Sequence, residues 1–433
     1  MKTNKQKAEG EDFAALIGMD WADQKHDVCL WVADSKKTES LVIKHSAETL
    51  REWMNGLRER FGGRRVAICL EQSRGPLIHA LMGYEFVVLY PVNPRALAKF
   101  REVFSISRAK DDPVDAQLLM ELVHKHRAKR RAWKPDDQQT RLMGRLVEDR
   151  RKAVNWRTRL SNQLRGALKD YFPQALELVG EDVASTLACD FLLKWPTLEA
   201  LQKARAEIVR KFYYGHNCRR GDLIGKRIEI IAKSKPLTSD AAVVESSVMK
   251  VQMLVGQLRS LMMDIRKYDQ KLAEIFSQHP NALIFESLPG AAAVLAPRLM
   301  TALGSDRSRY ESAADIQQYV GVAPVTKCSA KSETVHWRWG CPKFLRQSFH
   351  EFAGQSIYFS AWAGAYYQQQ IAKGNSHHQA LRSLAFKWIR IIYRCWQNRT
   401  PYCEATYLQS LQKRGSTLFK STTQPPESVP QPA

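Results

Sequence analysis

The sequence has few acidic residues for its basic content, and this imbalance limits the partners it can have. It contains 44 Asp and Glu residues against 66 Lys and Arg, which gives a formal net charge of +22. An excess of positive charge on this scale predicts a polyanionic partner, and nucleic acid is the first choice. A membrane surface is the alternative, but the basic residues are spread through the chain and no terminal anchor accompanies them.

Paired cysteines, long apolar runs and a signal peptide are also missing. No two of the eight cysteines have C-x-x-C spacing, which argues against a zinc ribbon and favours free thiols in a reducing compartment. No uninterrupted apolar run could span a bilayer, and the polar start of the chain lacks a signal core. We therefore expect a cytoplasmic protein, with a disordered leader at residues 1–13 and a disordered, Pro- and Gln-rich tail at residues 414–433.

Strands alternate with helices in the first third of the chain. Helical spacing of apolar residues predicts a helix over residues 48–60. Another helix begins at Asp112, because proline in the first turn and nearby acids favour a helix start. Four apolar runs predict strands, the first two as a hairpin, at residues 14–20, 27–33, 65–71 and 86–90. This order predicts an α/β domain with a mixed sheet over residues 14–135.

The rest of the chain is predicted to be mainly helical, in two domains at residues 136–280 and 281–413. Long helices are expected over residues 138–172 and 239–278. The second has coiled-coil-like heptad spacing, which suits packing within the chain or against another protomer. A polar loop is expected over residues 325–334. Leu288-Pro289-Gly290 fits either half of a phosphate-binding helix-hairpin-helix or a simple helix connection.

Four acids stand at the ends of these predicted elements. Asp20 and Glu71 each end a strand, whereas Asp112 and Asp115 lie one turn apart at a helix start. Carboxylates gathered at one end of an α/β sheet repel one another unless a divalent cation neutralises them. Oxygen-only ligands favour Mg²⁺, or Mn²⁺, which assist phosphodiester cleavage. The alternative is that the acids only stabilise helix ends, and spacing alone allows Asp111 in place of Asp112.

Basic residues follow the acids and suggest a surface that binds phosphates. The helical segment after residue 138 has many arginines and few acids, so a phosphate-tracking face is as plausible as a merely solvated one. The residues singled out in this part of the chain are Arg130, Arg131, Arg150 and Arg151.

The order of the motifs resembles the DEDD-type insertion-sequence transposases. In the first half the resemblance is carried by Gly18-Met19-Asp20, by Leu70-Glu71 and by the segment from Lys110 to Ala116. The family pattern of lysine, any residue, then Asp-x-x-Asp-Ala selects Asp112 as the third acid. What the resemblance implies is an RNase H fold, like that of the Holliday-junction resolvase RuvC, for the amino-terminal domain.

A second resemblance lies near the other end of the chain. The segment from Tyr319 to Ser329, followed by Cys341-Pro342-Lys343-Phe344-Leu345-Arg346, is similar to the family's mainly α carboxy-terminal transposase domain. In that family the nucleophile is a serine five residues after the proline of Gly-x-Ala-Pro, which corresponds here to Ser329. The family usually has glycine after this serine, whereas this chain has Ala330, and Ser332 is the alternative nucleophile.

The resemblance implies an enzyme of a defined kind. It would be a DNA recombinase guided by a structured non-coding bridge RNA that pairs with target and donor DNA. Ser329 would form a covalent phosphoserine linkage, assisted by Mg²⁺ on the four acids, in a dimer of dimers whose working sites combine residues of different protomers. Cations near the serine are expected to contact phosphates, and they are Lys327, Lys331, Arg338 and Arg346.

Two other interpretations fit parts of the pattern. In a metal-dependent junction-resolving nuclease, the acids would activate water and Ser329 would be incidental. In a non-catalytic RNA-binding or architectural protein, the acids would only stabilise the fold.

Overall fold

A computed structural model of the chain describes residues 13–71, 74–104, 112–329 and 332–422, without the side chains of residues 104, 112 and 420–422. The chain divides into two compact units, one ending at Pro135 and the other beginning at Asp136. The predicted leader, apart from Phe13, and residues 423–433 of the predicted tail lie outside the described residues. Phe13 is buried with its ring against Tyr90, because it extends the apolar run of the first strand.

The first unit is built on a five-stranded mixed sheet. Its strands are β1 (Ala15–Trp21), β2 (Lys25–Val32), β3 (Thr38–Lys44), β4 (Val66–Leu70) and β5 (Val87–Pro91). They lie in the order β3-β2-β1-β4-β5, in which β1, β2 and β3 are antiparallel neighbours while β4 and β5 run parallel to β1. The predicted mixed sheet and its first hairpin are confirmed. The sequence analysis did not predict β3, in which most residues are exposed and the apolar run is only three residues long, Leu41 to Ile43.

Four helices accompany the sheet in the described part of the first unit. They are α1 (Ala47–Arg60), α2 (Pro76–Leu81), α3 (Pro94–Phe104) and α4 (Asp112–His126), so the predicted helix start at Asp112 is confirmed. Alternation along β1 sends Ile17 and Met19 into one core, and Leu16 and Gly18 to the opposite face, where α4 packs. That second face is the one that carries the acids.

The helix α4 passes directly over Gly18. A Cβ atom at position 18 would lie 2.0 Å from the carbonyl oxygen of Ala116 and 2.3 Å from the amide nitrogen of Met120. Only glycine therefore allows α4 to approach the strand this closely. The contact fixes the first turn of α4, with Asp115, near the end of β1.

The second unit begins with a long helical pair. Helix α5 (Gln138–Tyr171) packs along α11 (Ala241–Ser277) within the same chain, and Val251, Leu254 and Leu258 of the predicted heptads are buried in this unit. Between the two run five short helices: α6 (Gln174–Val179), α7 (Thr186–Lys194), α8 (Leu198–Gln202), α9 (Ala206–Gly215) and α10 (Gly221–Lys233). These short helices pack with the facing ends of α5 and α11 in one hydrophobic core.

The remaining elements complete the same unit, and their helices form a second core. They are α12 (Ala282–Glu286), α13 (Ala292–Leu303), α14 (Ala313–Tyr319), β6 (Val325–Ser329), β7 (Ser332–His336), α15 (Lys343–Phe359), α16 (Ala361–Ala372), α17 (His377–Asn398), α18 (Glu404–Lys413) and α19 (Thr417–Thr422). Met143 and Val147 of α5 join this core. The structure therefore shows one unit where the sequence suggested a division after residue 280.

Two further predictions are corrected here. Residues 325–334 were expected to be a polar loop, but β6 and β7 pair as an antiparallel hairpin whose mostly exposed side chains leave no apolar pattern to detect. The tail was expected to be disordered from residue 414, yet α19 follows and Leu418 is buried in the core. A short apolar pair, Leu418 and Phe419, suffices to hold this helix. Among the helices of the described residues, none combines the length and the apolar character that crossing a membrane requires.

Candidate active site

The parallel strands bring the first two acids to one edge of the sheet. Met19 of β1 pairs with Leu70 of β4, so Asp20 and Glu71 are the next residues along two neighbouring strands. Ala67 and Cys69 of β4 lie on the face of the sheet that α4 covers. Side chains alternate along a strand, so Glu71, the residue after β4, lies on the same face as Asp20. Asp20 is only 6% exposed. A carboxylate so poorly hydrated requires a compensating partner.

Asp115 meets this edge from α4 and is held by an arginine. Its side chain is fully buried, and Arg101 of α3 binds it through two hydrogen bonds, of which Nε to Oδ1 spans 2.6 Å. This bidentate pairing neutralises the charge of Asp115 within the chain. The backbone of Asp112 opens α4, while its side chain, like Lys110 and Asp111, lies outside the described residues.

The donor set partly fits a divalent cation. Asp20, Glu71 and Asp115 offer only oxygen ligands, which suit Mg²⁺ or Mn²⁺, and two of the three are buried. Among the described side chains, however, no three His, Cys, Asp or Glu residues are grouped closely enough to hold a metal ion. To bind a cation, Asp115 would have to break its pairing with Arg101. In this structure the arginine supplies the positive charge beside Asp115.

A fifth acid, which the sequence analysis missed, lies beside Asp20. Asp27 of β2 is the direct cross-strand partner of Asp20 and is 7% exposed. Directly paired residues point to the same face of a sheet, so both carboxylates lie on the α4 side. The signal was its position in the predicted hairpin, where the register could have placed it opposite Asp20.

The cysteines take no part in this site. All eight are free thiols in the structure, which agrees with the expectation from their spacing. Cys69, in β4 just before the acidic edge, is buried, and burial raises the pKa of its thiol to about 12. It remains a protonated, inert core residue at neutral pH.

Ser329 lies in the second unit, at the tip of the hairpin. It ends β6 and is exposed, and its Oγ lies 2.9 Å from the Oγ of Ser332, the first residue of β7. The two hydroxyls thus face the solvent together at the turn. Ala330 and Lys331, which separate these two serines in the sequence, lie outside the described residues.

The base of the hairpin is fixed by the two motifs that flank it. A Cβ at Gly321 would lie 2.2 Å from the Sγ of Cys341, so these residues pack with no room for a larger side chain. The guanidinium of Arg338 donates to the carbonyls of Ala323, at 3.1 Å, and Pro324, at 3.4 Å. Arg346 in turn donates to the Arg338 carbonyl, at 3.1 Å. The hairpin tip is therefore presented on a rigid base.

Several predicted phosphate contacts are occupied within the chain. Arg150 donates to the carboxylate of Asp269, and Arg151 lies 3.2 Å from a carboxylate oxygen of Glu351. These ion pairs support a structural role for both arginines.

The other predicted contacts differ in their surroundings. Arg338 is committed to the hairpin base, whereas Lys327 is exposed on β6. Arg130 is half-buried after a 3₁₀ turn, Arg131 beside it is exposed, and Lys331 lies outside the described residues.

Comparison with known proteins supports the resemblance to transposases in both halves of the chain. A transposase family model of the DEDD, IS110 type matches residues 17–173, which include all four predicted acids. A second model, described as transposase of the IS116/IS110/IS902 family, matches residues 282–368, which include the hairpin and Ser329.

Relatives extend the similarity over nearly the whole chain. The "Mini-circle putative transposase for IS117" of Streptomyces coelicolor is 24% identical over 91% of this chain and 96% of its own length. The IS110 uncharacterized 43.6 kDa protein of the same organism is 23% identical over 90% of this chain and 96% of its own length. "Putative transposase y4uE" of Sinorhizobium fredii is 29% identical over 47% of this chain and 57% of its own length. With the acids at one sheet edge and the serine on a matched domain, the chain belongs to the IS110 family of insertion-sequence transposases.

Proposed function

We propose that this transposase cuts and rejoins DNA through a covalent bond between Ser329 and the scissile phosphate. The observation that carries the proposal is the presentation of an exposed hydroxyl at the tip of a hairpin with a rigid base. A nucleophile placed this way can reach into the backbone of a bound duplex, which a buried serine could not. The strand order of the first unit supports the RNase H-like fold expected for the domain that carries the four acids.

The chemistry of the serine step conserves the energy of the bond it breaks. The Ser329 oxygen attacks phosphorus and loses its proton, one phosphodiester P–O bond breaks, and the departing deoxyribose oxygen takes up a proton. The released hydroxyl can later attack the phosphoserine and restore Ser329, so rejoining needs no nucleotide cofactor. The Ser332 hydroxyl, at 2.9 Å, can accept or donate a hydrogen bond that orients the attacking oxygen.

The acids supply the electrostatic half of the reaction. Asp20, Glu71, Asp112 and Asp115 would hold Mg²⁺, or Mn²⁺, which when bound offsets the charge on the phosphate and lowers the pKa of coordinated oxygens. Arg101 supplies the positive charge beside the buried Asp115, and a bound cation would take its place. Because the acids and Ser329 belong to different units of the chain, they can also meet across protomers, and we propose a dimer of dimers on this basis.

A guide RNA accounts for how the enzyme finds its DNA. The net charge of +22 suits a protein that binds the backbones of an RNA and of two DNA duplexes. Base pairing with a bridge RNA would then read the target and donor sequences, while the protein recognises shape and phosphate. Sequencing the RNA that copurifies with the protein tests this part, and a preparation free of any defined RNA would contradict it.

The covalent step is tested by trapping the enzyme on DNA. Wild-type protein should give a protein–DNA adduct on denaturing gels. Ser329→Ala should abolish it, with cleavage reduced by ~10³-fold or more, while the matched Ser332→Ala variant should still form it. Asp20→Asn removes one charge at constant size and should eliminate metal-dependent cleavage. Clean hydrolytic products without an adduct would instead identify a junction-resolving nuclease, and full activity of Ser329→Ala would refute the serine mechanism.

A further inference from the structure

The base of the hairpin carries a group of cationic and imidazole side chains. We call it the arginine–histidine cluster, and its members are Arg346, His350, His377, His378 and Arg382. The Cζ atoms of Arg346 and Arg382 lie 4.8 Å and 3.9 Å from the ring centroid of Trp337, the residue that follows β7. Both guanidiniums are thus held against one indole ring, which fixes their planes.

The two arginines of this cluster have no acid to balance them. Within the part of the chain that the structure describes, neither Arg346 nor Arg382 forms an ion pair with a carboxylate. Their protein acceptors are carbonyl oxygens, that of Arg338 for Arg346 and that of His378 for Arg382. Burial and the charge of Arg346 lower the pKa of Arg382. Two mutually repelling cations held together without an anion indicate that a negatively charged ligand belongs there.

Histidines in the middle of α15 and at the start of α17 extend the cluster. The ring of His350 lies 5.4 Å from that of His378, which lies 5.2 Å from that of His377. Burial and the neighbouring cationic groups lower the pKa of His350, so an additional positive charge is unfavourable there without a ligand. His377 and His378 open α17, whose dipole adds to the positive potential, while the Ser376 side chain caps the backbone amide of Gln379.

We propose that the arginine–histidine cluster binds a backbone phosphate of the same DNA strand that Ser329 cuts. Each stacked guanidinium donates one N–H group to a carbonyl oxygen, and its other N–H groups can bind phosphate oxygens. Trp339, which is 76% exposed and stands 6.4 Å from Trp337, offers a face on which a base of that strand can stack. This inference rests on the proposed role of Ser329 for the identity of the strand.

The length of the hairpin sets the position of that phosphate. Ser329 lies four residues along β6 from Val325 at the base, which corresponds to ~13 Å of strand. Each DNA strand has one phosphate per ~3.4 Å of helix axis, so the bound phosphate should be about four nucleotides from the cut. The cluster would thereby hold the strand in register while the tip carries out the chemistry.

The first experiment measures how DNA binding depends on salt. The probe is a short duplex containing an end of the insertion element, bound by full-length protein with its copurifying RNA. Arg346→Gln/Arg382→Gln should lower the slope of log affinity against log salt by about 0.9, the value for one lost phosphate contact. The matched control is Arg205→Gln/Arg210→Gln, which changes two exposed arginines, one just before α9 and one on it, and its slope should equal that of the wild type.

The second experiment locates the contact by replacing single phosphates with uncharged methylphosphonates. In the wild type, a substitution about four nucleotides from the cut should weaken binding. In the double glutamine variant the same substitution should have no effect. If the glutamine pair fails to fold, Arg346→Lys/Arg382→Lys keeps both charges, and it should retain the salt slope but bind the duplex more weakly than the wild type.

The possible outcomes separate the two proposals. An unchanged salt slope and interference pattern in a folded glutamine variant would overturn the assignment of the cluster. A slope change seen with the RNA alone and not with DNA would overturn it too. A normal slope change without any Ser329 adduct would refute the serine mechanism, and with it the strand assignment, while leaving the cluster as a DNA-binding site.

Discussion

Replacing Gly18 with alanine is expected to displace α4 from β1, together with the acids at the start of that helix. The new Cβ would lie 2.0 Å from the carbonyl oxygen of Ala116, whereas ordinary contact begins at 3.4 Å. The helix must therefore move by about 1.4 Å, the difference between these two distances. Because the obstacle is backbone and not a flexible side chain, the cost should be at least ~1–3 kcal/mol of stability.

The effect on catalysis should exceed the effect on stability. A displacement of ~1 Å at a catalytic group can cost ~10²-fold in rate. The assays are hydrogen exchange of the α4 amides over residues 112–126, followed by strand cleavage under saturating cation. Gly18→Ala should exchange faster in α4 and cleave DNA about a hundredfold more slowly.

A glycine of α1 supplies the matched control. A Cβ at Gly56 would meet nothing within 4 Å. Alanine there should stabilise the helix by ~0.5–1 kcal/mol and leave cleavage unchanged. If Gly18→Ala matched Gly56→Ala in exchange and in cleavage rate, the close approach of α4 would not be what positions the acids.

Three further predictions concern buried ionisable groups. Arg101→Gln leaves the Asp115 carboxylate buried without its partner, so thermal unfolding in EDTA should show a loss of ~3–5 kcal/mol, and Mg²⁺ should stabilise the variant more than the wild type. Burial, followed by the nearby His45, lowers the pKa of His26 to about 4. The folded state therefore favours the neutral imidazole. Between pH 7 and pH 5 the free energy of unfolding of the wild type should fall by about 2 kcal/mol, and that of His26→Gln should not show this loss. Glu351→Gln should cost ~3–5 kcal/mol in denaturant unfolding because it leaves Arg298, 4% exposed, without its acid. Arg298→Met should cost less, because Glu351 keeps its pairing with Arg151 at 3.2 Å.

Each of these predictions has a result that would contradict it. Equal stability of Arg101→Gln and the wild type in EDTA would show that Asp115 does not depend on the arginine. Parallel pH curves for His26→Gln and the wild type would mean that His26 titrates normally in the fold. A larger loss for Arg298→Met than for Glu351→Gln would reverse the assigned order of burial costs.

Local sequence patterns were enough to predict much of the first unit. Apolar alternation, helix spacing and a proline in the first turn of α4 predicted most elements of the first unit, because backbone propensity and burial act over a few residues. The same patterns placed Asp20 and Glu71 at strand ends and Asp115 at a helix start. Ser329, in contrast, was singled out only by the family resemblance, through its distance from the proline of the Gly-x-Ala-Pro motif.

What only the tertiary structure decided involves residues far apart in sequence. The β6–β7 hairpin has no apolar alternation, and its strands are defined by their pairing and by a base that Cys341 and Arg338 complete. Arg101 became the partner of Asp115 because α3 and α4 pack together, which neither segment encodes alone. Arg382 contacts Trp337 for the same reason, although the two residues lie far apart in the sequence. Composition and spacing determined which chemical groups the chain possesses, whereas long-range packing determined which of them meet, because an ion pair or a stacked ring depends on distances that no local pattern records.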